Sequence, residues 1–157
     1  MAAGNEAQGN YSLSFAVAGI LPTGSHKNGS LAATISPTLC AGKGFGRFDV
    51  QSTLGAILPA DDTVKLGRPV AWNAVAQYHV SKLFRPEIEN NATFYHGGVN
   101  DGRVQNFVTP GLMVSKFKLE RDARNRLALM FGGGMQIATS HFYTYNHGLV
   151  LTARMLF

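Results

Sequence analysis

From Tyr143 to the end of the chain, one face of an extended strand would carry Tyr143, Tyr145, His147, Leu149, Leu151, Ala153, Met155 and Phe157. The opposite face would carry Thr144, Asn146, Gly148, Val150, Thr152, Arg154 and Leu156. A period of two held over such a length predicts a β-strand. Seven earlier segments repeat it, at 11–22, 31–42, 48–58, 70–81, 85–96, 105–117 and 126–139. In the first, Tyr11, Leu13, Phe15 and Val17 alternate with Ser12, Ser14, Ala16 and Ala18. In the fourth, Trp72, Ala74, Ala76 and Tyr78 alternate with Asn73, Val75, Gln77 and His79. Pro37 sits awkwardly inside the second segment, because it has no N–H to give to a ladder. Loops at 23–30, 59–69 and 97–103 and turns near Gly44, Leu83 and Glu120 separate the segments, the order an up-and-down antiparallel sheet requires.

Alternation leaves open which face looks inward, since a soluble sheet with one wet face alternates too. The polar face decides. A solvated surface usually carries about 25–35% charged residues, yet these faces hold mostly Ser, Thr, Ala, Gly, Asn and Gln, with Asp49, Glu87, Glu89, Arg126 and Arg154 as the exceptions. Charge gathers in the turns instead, at 61–68, 82–85 and 116–126, and aromatics gather near segment ends, as an interfacial girdle does. The sequence therefore predicts an all-β protein. Residues 11–157 are expected to form one antiparallel up-and-down transmembrane β-barrel of about eight strands, after a polar lead at 1–10. The competing reading is a soluble β-barrel or β-sandwich that binds a ligand, in which the large apolar side chains would point inward.

The last strand, ending on Phe157, resembles the closing strand of bacterial outer-membrane barrels, whose C-terminal aromatic is read by the barrel-assembly machinery. That likeness implies an outer-membrane location, lipid as surroundings, and the turns near Gly44, Leu83 and Glu120 on the periplasmic side. The phrases ILPTG (20–24), PEIENNATFYHGG (86–98), NFVTPGLMVSKFKL (106–119) and YNHG (145–148) resemble the outer-membrane barrels grouped with the meta-pathway of phenol degradation. The resemblance implies a non-enzymatic, porin-like transport protein that binds or passes small apolar molecules. It supplies no catalytic residue.

Composition narrows this further. The net charge of +5 is scattered, without basic runs interleaved with aromatics, which argues against nucleic-acid binding. The single cysteine, Cys40, allows neither an internal disulfide nor a cysteine metal cluster. The opening MAAGNEAQGN lacks the basic and apolar regions of a signal peptide. The expectation is a processed chain or the C-terminal part of a longer barrel.

The polar faces supply the candidate site. Arg85, Glu87, Glu89 and Asn91 share one face of the fifth segment, and Gln77, Arg126, Gln136 and Arg154 lie on inward faces of others. Together they would form a charged and polar belt in which the arginines neutralise the glutamates. Paired carboxylates can also serve glycoside hydrolysis, but from apposed elements at a set separation, so an ionic network is the simpler reading. His26, His79, His96, His141 and His147 lack ligand spacing, and no cofactor or metal is expected. Gly42 to Gly46 has neither the Walker pattern nor a following helix, and predicts a glycine hairpin.

Overall fold

The structure, a computed structural model, describes residues 10–23, 32–118 and 128–156, with side chains for all of these but 115–118 and 156. Residues 1–9, 24–31, 119–127 (with Arg126) and Phe157 lie outside the described residues, and with them most of the expected loop at 23–30 and turn near Glu120.

The strands are β1 (Tyr11–Ile20), β2 (Thr34–Phe45), β3 (Phe48–Ala56), β4 (Leu58–Pro59), β5 (Val70–Tyr78), β6 (Phe84–Phe94), β7 (Val104–Lys118), β8 (Ala128–Ala138) and β9 (His147–Leu156). A one-turn helix, α1 (Thr63–Leu66), precedes β5, and a 3-10 turn at Gly98–Asn100 precedes β7. The fold is all-β, a single antiparallel sheet. Eight strands run up and down in the order β1-β2-β3-β5-β6-β7-β8-β9, and the two-residue β4 pairs off this path with the start of β2. Among the described residues β1 and β9 are the two edges, and no pairing joins them.

The alternating segments all become strands, with shifts that have local causes. The second runs on to Phe45, so Lys43 and Gly44 are ladder residues rather than turn, opposite Val50 and Asp49. The turn itself is only Gly46-Arg47, with Gly46 at φ 65°, the conformation a two-residue hairpin reserves for glycine. Pro37 falls between the β3 pairs, which start at Thr38↔Gly55, and the β4 pairs, which end at Ile35↔Leu58. The ladder on that side is interrupted there anyway, which is where a strand tolerates proline. The last strand begins at His147, four residues later than Tyr143, so Tyr143 and Tyr145 belong to the loop before it.

The side chains sort by parity. Phe15, Val17, Leu39, Leu54, Ile88, Leu112, Phe131, Leu149 and Leu151 stand exposed on the outer face. The buried apolar residues among those described are Ala32, Ala92, Phe107, Met113 and Ala128, three of them alanines. On the other face the sheet curls so that residues of β3, β5, β6, β7, β8 and β9 line one cavity. The concave face is the polar one.

At the long-loop end, the connection before β5 packs on the β6–β7 connection through glycines. Arg68 N–H donates to the His96 carbonyl at 2.7 Å. A Cβ on Gly67, itself at φ 67°, would lie 2.4 Å from the Gly97 carbonyl oxygen and 2.7 Å from that of His96. Gly67→Ala is therefore expected to cost about 1–3 kcal/mol locally and to part the two loops. Faster amide exchange at Arg68, with little change in the melting temperature, is the expected readout; unchanged protection there would show that the glycine contact does not hold the loops.

Candidate functional site

Strand parity carries the polar residues inward, and register decides which of them meet. Glu87 lies opposite Gln77 on β5 and Gly111 on β7, while Glu89 lies opposite Val75 and Thr109. Gln77, Arg85, Glu87, Glu89 and Arg154 line one cavity of about 480 Å³. Val75, Met113, Met130 and Val150 supply its apolar wall.

Glycines make this space and side chains take part of it back. A Cβ on Gly111 would touch the Glu87 side chain at 3.4 Å. Met113, only 5% exposed, lays its sulfur over Gly132. Gly134 lets β8 approach the Pro110 carbonyl and the Thr109 methyl. Thr109 is 4% exposed, and its hydroxyl oxygen, in the cavity wall, has no hydrogen-bond partner.

The expected belt of glutamates and arginines included Arg126, which lies outside the described residues, and among the rest the direct contact is with an amide. Gln77 Nε2 donates to Glu87 Oε2 at 2.6 Å. Among the described residues no ion pair within 4.0 Å joins either glutamate to Arg85 or Arg154; the ion pair found is His79 Nε2 to Asp49 Oδ2 at 2.5 Å, nearer the turns. The Nε of Arg85 is buried without a hydrogen-bond partner among the described residues. The Gln77 amide at the opposing strand position satisfies Glu87, and neither guanidinium lies within ion-pair distance of a carboxylate among the described residues.

The rest of the predicted belt is spread out. Asn91 lines a smaller cavity of about 150 Å³ beside Glu89. Gln136 faces inward near the other end of the sheet, where its carbonyl accepts the Tyr145 hydroxyl. Arg126 lies outside the described residues. Phe107, one of the aromatics expected at the girdle near segment ends, is instead buried and stacks on the 44% exposed Tyr145 with ring centroids 4.8 Å apart. Phe107 shares the parity of Thr109, Gly111 and Met113, a signal that would have placed it. For Tyr145, a loop residue, no such signal exists.

At the opposite end, by the Gly46-Arg47 turn and the 79–83 link, a second cavity of about 630 Å³ is lined by Arg47, His79, Lys82 and Arg85. Arg85 borders both cavities. No group of three His, Cys, Asp or Glu among the described residues is placed to hold a metal ion. Guanidiniums and amides facing an apolar wall can recognise a polar group on a small molecule. Comparison with protein-family models, curated proteins and solved structures finds no match to the chain.

Proposed function

We propose that the chain is a β-barrel protein of the bacterial outer membrane that binds or passes small molecules and performs no chemistry on them. One observation carries the reading, the inversion of the sheet: large apolar residues exposed on the outer face, carboxylates, guanidiniums and amides on the concave one. A soluble sandwich buries the first set and solvates the second; a strand in a bilayer does the reverse. The resemblance in the phrases 86–98 and 106–119 to the phenol meta-pathway barrels agrees with this, and adds an apolar solute.

The topology is compatible with closure. Eight strands on the path is an even number, so β1 and β9 run antiparallel and can pair without breaking the pattern. A bilayer leaves no water to satisfy an open edge, so the membrane reading requires those edges to be paired. Short connections at 46–47 and 79–83 then face the periplasm, and the last strand is the handle for the assembly machinery. Eight strands closed alone leave an interior about filled by side chains.

The test is refolding from urea into phosphatidylcholine vesicles, followed by flotation and circular dichroism. The chain is expected to float with the lipid, with a β spectrum. A monodisperse β-protein that stays in buffer without detergent and does not float would overturn the proposal.

A further inference from the structure

The concave cavity has an asymmetry that names a ligand class. One of its carboxylates is already hydrogen-bonded by an amide, Glu87 by Gln77. Its guanidiniums are not matched in the same way: among the described residues neither Arg85 nor Arg154 has a carboxylate within 4.0 Å, and Arg85 Nε is buried without a hydrogen-bond partner. The Thr109 hydroxyl, in a residue 4% exposed, is a second unpartnered group in the same wall. Buried polar atoms left without partners are costly, and an acceptor brought in from outside would offset that cost. A guanidinium fork matches a carboxylate better than any other small acceptor except phosphate.

The remaining wall separates these two. Val75, Met113, Met130 and Val150 give the cavity an apolar side, which a bare phosphate does not use. The volume of about 480 Å³ suits a single-ring molecule. At the end of the short connections, Arg47 and Arg85 line the second cavity, and their charge favours an anion there as well.

We propose that this cavity receives small amphiphilic carboxylates, with Arg85 and Arg154 taking the carboxylate and the Val75–Met113–Met130–Val150 wall taking the apolar body. The assignment deepens the membrane reading and rests on it only for the sidedness of entry, because the cavity belongs to the sheet itself.

Calorimetric titration of the vesicle-inserted full chain with benzoate, benzyl alcohol and benzylamine tests it. Benzoate is expected to bind at least about tenfold more tightly than either neighbour of the same shape. Arg85→Gln and Arg154→Gln should each remove most of that preference, while Lys43→Gln, on the outer face, should leave it intact. The ranking on the unaltered chain stands even if an arginine variant fails to insert. Benzylamine binding best, benzyl alcohol equalling benzoate, or no saturable benzoate binding would each overturn the carboxylate assignment. A chain that does not float counts against the membrane reading alone; titrated in buffer, it faces the same ranking.

Discussion

Leu151→Arg is expected to lower the stability of the vesicle-inserted protein by about 2–4 kcal/mol, the cost of a cationic side chain facing lipid near the bilayer midplane. Leu151 lies at the middle of β9, opposite Gly133, and is 74% exposed on the outer face. Were that face bathed in water, the same exposure would make the change nearly silent, within about 0.5 kcal/mol. Val64→Arg supplies the contrast. Val64 is 88% exposed in α1, among the loops, and its substitution should be silent in either setting. Urea unfolding followed by the fluorescence of Trp72, the single tryptophan, reads both variants. Equal and small effects at the two positions would remove the membrane from the account.

Gly134→Ala should cost about 1–3 kcal/mol, whatever surrounds the outer face. A Cβ there would lie 2.8 Å from the Pro110 carbonyl oxygen, 2.9 Å from the Thr109 methyl and 3.1 Å from the Gly111 Cα. Two of these atoms are backbone of β7, and they cannot withdraw without pulling apart the Gly111↔Gly134 pair. Gly19 in β1 makes the comparison clean, because a Cβ there meets nothing within 4 Å. Gly19→Ala should be neutral or stabilise by up to about 1 kcal/mol through reduced freedom of the unfolded chain. A Gly134→Ala protein with an unchanged unfolding midpoint would show that β7 and β8 have slack at this crossing.

Much of the sheet was legible because side-chain parity is a local property. Ser12 and Gly42, or Gln77 and Glu87, announce their face by position alone, and the inversion between faces follows from which residues share a parity. Cross-strand partners were less legible. Whether Glu87 meets Gln77 or an arginine depends on the register set by the 79–83 link, and a one-residue slip would change every neighbour. Parity also says nothing about whether a backbone is laddered. Tyr143 and Tyr145 alternate like strand residues, but pairing with β8 begins only at His147↔Ile137, so Tyr145 is free to fold back over Phe107. The Thr109 hydroxyl and Arg85 Nε could not be found from sequence, because lacking a partner is a fact about all surrounding strands together.

Each strand between the two edges is hydrogen-bonded to the strand before and after it on the path, joined by connections such as Gly46-Arg47 and 79–83. Such a sheet can assemble as a succession of hairpins, each closing a short loop in microseconds. Bringing β1 to β9 is different in kind, since the loop it closes is the whole chain, with an entropy cost that grows with the logarithm of length. Contacts of that separation are the ones that slow folding. If the sheet closes as proposed, the seam is its slow step, and changes confined to β1 should then alter how fast the last structure forms while leaving the early β-signal untouched.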